Sequence, residues 1–359
     1  MKAKNTGNLK RNLFLVHTEY HLLLALKIIY EKFNNVNWNN EILITKLENR
    51  FSSLFEVSRL NEVYDNIRFE IHSGPMNKLL FKQLIKEDTH NFFYYQPTQI
   101  WNNLIASNLK SKRNTTINLV QDGYAVYVKF QKSHEFVSMI IDTFKDYKKV
   151  FLEQAIPNKF LISKYYRHGN QWYIDNLWLT NPECFDAIHN QSKAKLEAII
   201  EFDASSISYC VNAFDFNLNI PSDGILFYVS QPLWTERMRN AELEFLRSFE
   251  KLYKRTLFIK LHPINKLDGA SRYSSLKNIQ IINNNVPAEF YLLSLRNSIV
   301  LSCWSTALIT NNVFCKYYFT YPIFKKLDAK ALNQSDMAIM PHIKLVSDPM
   351  QIIEKHRTE

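Results

Sequence analysis

The chain has 359 residues, 46% hydrophobic and 14% aromatic, and carries a formal net charge of +10 from 44 basic and 34 acidic side chains. That length and apolar content set aside a disordered or low-complexity protein and suit two domains, each with its own core. The four cysteines, Cys184, Cys210, Cys303 and Cys315, fall in no CxxC spacing, which argues against a zinc ribbon or a disulfide scaffold and fits a reducing cytoplasm.

In chain order, short β-rich runs alternate with helical patterns. NLFLV (12 to 16) predicts a strand, followed by a helix over 21 to 33. EILIT (41 to 45), a helix from Phe51, IRFEI (67 to 71), a helix over 78 to 86, NFFYY (91 to 95), a helix from Gln99 and TINLV (116 to 120) continue the series. HLLLALKII is too short to span a bilayer, and His17, Thr18 and Glu19 break the apolar run behind the basic start, so neither a membrane helix nor a signal peptide is expected. The polar stretch NLNIPSDG (217 to 224) predicts a linker. A second series follows: ILFYVS (225 to 230), a helix over 236 to 253, TLFIKL (256 to 261), IQII (279 to 282), AEFYLLSL, SIVLS (298 to 302) and KYYF.

Strands alternating with helices predict parallel sheets covered on both faces, so the expected fold class is α/β with two Rossmann-like domains, 1–220 and 221–359, and a last helix returning to the first. In such sheets ligands bind beyond the carboxyl ends of the strands. The residues there are His17 to His21 after NLFLV, Gln121-Asp122-Gly123 after TINLV, Gln231 after ILFYVS, His262-Pro263 after TLFIKL, and Ser305-Thr306 after SIVLS. The six glycines form neither GxGxxG nor a P-loop, which excludes the usual dinucleotide fingerprint and a Walker ATPase. Pro263 restricts the backbone of His262 and so fixes where the imidazole starts. Ser305 and Thr306 open a predicted helix, either as a cap or as donors to an anion. Asp122 before Gly123, taken alone, reads as a turn residue after a strand. The positive charge would attract nucleic acid, an acidic polysaccharide or an anionic membrane face.

QDG (121 to 123), HP (262 and 263) and ST (305 and 306) occur in the order and spacing of the bacterial GT-B sialyltransferase motifs D/E-D/E-G, HP and S-S/T. VHTEYHLLLALKII resembles the opening strand and helix of the lipooligosaccharide sialyltransferases of glycosyltransferase family 52, related to bacterial polysialyltransferases, and SQPL (230 to 233) resembles the start of their second domain. The resemblance implies a GT-B fold, with an acceptor-side first domain facing a CMP-sugar-binding second domain across a cleft. It implies inverting transfer of sialic acid, or a related nonulosonic acid, from a CMP-sugar to a glycan hydroxyl of lipooligosaccharide or capsule.

In that scheme Asp122 is the general base, and Gln121 stands where the family motif has its first acid. His262 acts as acid on the leaving phosphate, and Ser305 and Thr306 hold the phosphate oxygens. Lys260 adds charge or touches nucleotide, beside Pro263; Gln231 and Glu289 reach the nucleotide; and Tyr20, His21, Gln121 and Gly123 lie toward acceptor or donor sugar. The scheme needs no metal and no cofactor, and the sequence offers no DxD triplet. Expected partners are a CMP-sugar, a lipid-linked or polymeric glycan acceptor and the inner face of the cytoplasmic membrane, with no nucleic acid. The rival readings are the same fold using CMP-Kdo, CMP-legionaminic acid, CMP-pseudaminic acid or a CDP-polyol, and a non-catalytic basic protein that binds glycan or nucleic acid.

Overall fold

The computed structural model describes residues 9–45, 57–72, 76–97, 99–113, 115–127, 145, 148, 171–189, 192–212, 214, 216–233, 235–262, 269–325, 327 and 339–352. The chain divides into two compact units, 1–200 with 208–215, and 201–207 with 216–359. The division falls within the helix Ala204–Val211.

The first unit is built on seven parallel strands: β1 (Lys10–Val16), β2 (Trp38–Thr45), β3 (Ile67–His72), β4 (Asn91–Tyr94), β5 (Thr116–Val120), β6 (Asn176–Leu179) and β7 (Lys195–Ala198), in the order β3-β2-β1-β4-β5-β6-β7. Central strands of such a sheet are covered on both faces, which is why β1 and β4 read as nearly unbroken apolar runs. Leu13 to Val16 and Phe92 to Tyr94 are fully buried. Register is pinned by amides as well as by burial. Asn12 donates to Asn40 at 2.8 Å and accepts from Asn91 at 2.8 Å, and both are its partners across the sheet. A one-residue slip would leave these buried amides unpaired.

The second unit carries six parallel strands: β8 (Leu226–Val229), β9 (Leu257–Lys260), β10 (Ile279–Ile282), β11 (Ser298–Ser302), β12 (Cys315–Phe319) and β13 (Ile343–Leu345), in the order β10-β9-β8-β11-β12-β13. Each sheet therefore starts in the middle, winds outward and reverses, which is the doubly wound order. The reversal lies between β1 and β4 in one sheet and between β8 and β11 in the other.

The helix Glu236–Tyr253 begins at Thr235, whose hydroxyl accepts from Met238 N at 3.3 Å, and ends at Lys254 in a left-handed conformation, φ 51°. Its buried face carries Met238, Phe245, Leu246 and Phe249, with one acid, Glu242, among them. Among the described residues no helix is long and apolar enough to cross a membrane.

Three strands lay outside the expected series. β6 and β13 are only four and three residues long, and β7, KLEA, is an edge strand with no fully buried position. The expected linker 217–224 begins just past the division at 215/216, and its end is fastened to the second unit: Gly224 N donates to Arg296 O at 3.0 Å and Arg296 N to Ser222 O at 2.6 Å. The expected final helix falls largely on residues 353–359, outside the described residues.

Candidate active site

β1 stops at Val16, and the chain turns at once into the helix Glu19–Ile28 because Thr18 caps it, its hydroxyl accepting from His21 N at 3.2 Å. That tight entry folds His21 back under the strand end. The His17 backbone N–H donates to His21 Nδ1 at 3.3 Å, and His21 Nε2 lies 3.0 Å from Asp122 Oδ1. The ring is 1% exposed and stacks on Tyr95, centroids 4.3 Å apart at 10°. Because Nδ1 accepts, the ring proton sits on Nε2 and is donated to the carboxylate.

Asp122 reaches this point from β5, and its side chain is 38% exposed. Gly123 follows with φ 65°, a left-handed conformation that glycine adopts without a Cβ penalty, and turns the chain into the short 3-10 helix Gly123–Tyr127. His189 Nε2 holds that helix at Val126 O, 2.8 Å away.

The structure changes the expectation for His21 and Gln121 as sugar contacts. His21 has both ring nitrogens engaged below the surface. Gln121 is fully buried: its Oε1 accepts from Tyr127 Oη at 2.8 Å, Thr180 N at 2.8 Å and Thr180 Oγ1 at 3.1 Å, and its Nε2 donates to Tyr20 Oη at 3.1 Å. An amide both accepts and donates at such a hub, where a buried carboxylate would need a cation. Tyr20 is half-buried above it.

His17 was not singled out on its own, and its ring serves the scaffold. Nδ1 meets Thr45 Oγ1 at 2.5 Å and Nε2 accepts from Asn102 at 3.0 Å. Burial, and then the neighbouring His21, bring its pKa down to about 4.

In the second unit, Ser230 at the end of β8 accepts from His262 N at 2.9 Å, which ties the residue after β9 to its neighbouring strand. The His262 imidazole is half-buried, and burial followed by the Lys260 charge pulls its pKa below the ordinary value. Lys260 is itself buried and turns its ammonium to Asn284 O at 2.8 Å, so it adds charge near His262 from below. Pro263 lies outside the described residues.

The hydroxyl pair divides. Ser305 is buried and accepts from Ala307 N at 3.3 Å as the cap of a four-residue 3-10 helix, Thr306–Ile309, while Thr306 is exposed. Four residues give little of the aligned dipole expected of a helix at this point. Gln231 is buried, with its carbonyl accepting from Arg272 at 3.4 Å, and Glu289 is half-buried in the first turn of the helix Ala288–Ser294.

Beneath these strand ends lies a network that sequence reasoning missed. Glu242 is 2% exposed and accepts from Arg272, from Tyr228 Oη at 2.5 Å and from Tyr273 Oη at 3.3 Å. Cys303 Sγ lies 3.1 Å from Tyr228 Oη. Burial pushes the Glu242 carboxyl up, against the pull of Arg272. The signal was an acid on the apolar stripe Met238, Phe245 and Phe249. Among the described residues no group of three or more His, Cys, Asp or Glu side chains is placed to hold a metal ion.

The fold matches those of known proteins. A sialyltransferase from Photobacterium damsela superposes with TM-score 0.51 at 12% identity, over 87% of this chain and 74% of that one. Staphylococcus aureus MnaA in its UDP co-structure gives TM-score 0.49 at 12% identity, over 98% and 96%. Escherichia coli heptosyltransferase WaaC gives TM-score 0.42 at 10% identity, over 96% and 99%. No curated protein sequence matches the chain. The family model described as alpha-2,8-polysialyltransferase matches residues 3–318, a span that takes in QDG, HP and ST. This chain therefore belongs to the alpha-2,8-polysialyltransferase family and is a glycosyltransferase of the bacterial sialyltransferase superfamily, built from two parallel-sheet α/β domains of the GT-B fold.

Proposed function

We propose that this protein extends an α-2,8-linked sialic acid chain from CMP-sialic acid with inversion, using Asp122 as base and His262 as acid. The observation that carries this reading is the family match over residues 3–318, within which both residues follow strand ends. The acceptor hydroxyl gives its proton to the Asp122 carboxylate as its oxygen bonds the anomeric carbon. The bond from that carbon to the CMP phosphate oxygen breaks, and the electron pair leaves on the phosphate. An exposed carboxylate held by a neutral donor suits the first task.

His262 gives the departing phosphate a proton or a hydrogen bond. Its lowered pKa leaves it neutral in the free protein at neutral pH, and the anionic phosphodiester of the bound CMP-sugar, which gains a second charge as the bond breaks, favours the protonated ring. Thr306 adds a hydroxyl to the phosphate and Ser305 shapes the turn that presents it. Lys260 supplies positive charge from beneath, Gln231 and Glu289 serve the nucleotide, and Tyr20 and Gly123 lie on the acceptor side. The scheme uses no metal, and the basic surface brings the protein to an anionic membrane face where a capsular or lipid-linked acceptor is made.

The test is incubation of the purified protein with CMP-sialic acid and a labelled oligosialic acid, with EDTA in a parallel reaction, read by mass. Stepwise addition of sialic acid, insensitive to EDTA, is expected. Transfer only from CMP-Kdo, CMP-legionaminic acid, CMP-pseudaminic acid or a CDP-polyol reassigns the donor. Binding of acceptor with no turnover from any of them overturns the enzymatic reading.

A further inference from the structure

Asp122 follows a strand end and precedes a left-handed glycine, and its side chain is 38% exposed. A carboxylate so placed can point several ways, and a base must point one way to take a proton in the transition state. The hydrogen bond that fixes it comes from His21 Nε2 at 3.0 Å.

Two carriers for the base are conceivable at this spot, the carboxylate and the imidazole, and the geometry chooses. His21 Nδ1 accepts the His17 backbone N–H at 3.3 Å, Nε2 faces Asp122, and the ring is 1% exposed. Neither nitrogen has a lone pair left for an acceptor hydroxyl. A second proton on Nδ1 would point at the His17 N–H and break that bond, so the ring serves as a neutral donor.

The other titratable groups about the pair are His17 at the end of β1, Tyr20 on the helix Glu19–Ile28 and Tyr95 just past β4. His17 is neutral at working pH, its pKa brought down to about 4 by burial and then by His21, and burial keeps Tyr95 protonated. A neutral N–H orients the carboxylate without neutralising it, whereas an ammonium or guanidinium at the same distance would weaken it more as a base.

We propose that His21 is the positioning residue of Asp122: an imidazole locked in the Nε2–H tautomer by the His17 backbone, which aims the carboxylate at the acceptor hydroxyl. The proposal rests on the reading of Asp122 as base.

The experiment compares His21→Gln, His21→Asn and His21→Phe. A glutamine amide nitrogen falls at the place of Nε2 and can still donate to Asp122; an asparagine amide falls at the place of Nδ1 and cannot. With CMP-sialic acid and an oligosialic acid acceptor, His21→Gln is expected to stay near wild-type kcat. His21→Asn and His21→Phe should lose about 10- to 100-fold in kcat, the worth of one hydrogen bond to a charged group, with donor KM unchanged. Equal losses in all three variants, or full activity in His21→Phe, overturn the proposal. The histidine ring 15N spectrum of the unliganded protein adds a readout that needs no turnover. The Nε2–H tautomer of His21 is expected, and the Nδ1–H tautomer overturns the proposal. If that tautomer is seen while no CMP-sugar supports transfer, the donation to Asp122 stands and the reading of Asp122 as the base of sialyl transfer falls.

Discussion

At the carboxyl ends of the first sheet, His17, His21, Asn102, Gln121 and Tyr127 form a network of neutral groups, and one carboxylate, Asp122, stands at its surface. Beneath the corresponding ends of the second sheet the charges are buried: Glu242 with Arg272, and Lys260 against Asn284 O, with His262 half-buried among them. The two sheets share their strand order up to the sixth strand, so topology does not account for the contrast. The chemistry does. A base has to stay anionic and reactive, which favours neutral donors around it, while a departing phosphate calls for positive charge and protons.

The contrast breaks first at Asp122 and His262. Asp122→Asn removes the proton acceptor and keeps the shape, and transfer is expected to fall by about a thousandfold, within the range of general-base catalysis. His262→Asn is expected to lose about a hundredfold, since the phosphate keeps its other contacts. Turnover measured with CMP-sialic acid, beside the thermal upshift given by CMP, separates the two sides. The Asp122 variant should keep the upshift in full and the His262 variant should lose part of it. A His262 variant more damaged than the Asp122 variant would reverse the division of labour.

A smaller effect, on stability alone, tests the buried charges. Glu242→Leu leaves the Arg272 guanidinium, whose side chain is 10% exposed, without its carboxylate. Stranding one half of a buried pair costs about 3 to 5 kcal/mol. The double variant Glu242→Leu/Arg272→Met removes both charges and is expected to recover most of that loss. Urea unfolding should show the second domain shifted in the single variant and the first domain unmoved. If the double variant is no better than the single, the pair is not the source of the loss, and the tyrosine hydroxyls of Tyr228 and Tyr273 carry it.

Much of this architecture was legible because parallel strands buried on both faces write themselves as apolar runs, and β1, β2, β5, β8, β9 and β11 stand within a residue or a few of where the runs predict them. β6, NLWL, was not legible, since four residues carry too little periodicity and the strand gains its place by pairing with β5 and β7. Of the candidate site, what was legible is placement: Asp122 and His262 stand just past β5 and β9, as the runs before them predict, because the end of a strand is itself a sequence feature. What His21 touches was not legible. Its partner lies 101 residues away, and its ring direction depends on the Thr18 cap and the His17 backbone, neither of which alters the hydrophobic pattern. Gln121 gives the same lesson from the other side, for a residue beside a candidate base turned out to be a buried hub.

The finest division lies between two adjacent hydroxyls. Ser305 spends its oxygen on Ala307 N and is 5% exposed, whereas Thr306 is exposed at the first position of the same 3-10 helix. Removing a cap costs about 1 kcal/mol and leaves binding alone, so Ser305→Ala should lower the unfolding midpoint of the second domain with little change in the KM for CMP-sialic acid. Thr306→Val keeps the shape and deletes one donor, so it should leave stability in place and raise that KM by about tenfold, near the worth of one hydrogen bond. Steady-state kinetics beside urea melts of both variants read the two effects independently. If Ser305→Ala moves the KM and Thr306→Val moves the midpoint, the phosphate is gripped by the buried hydroxyl after the turn rearranges, and the exposed one is part of the scaffold.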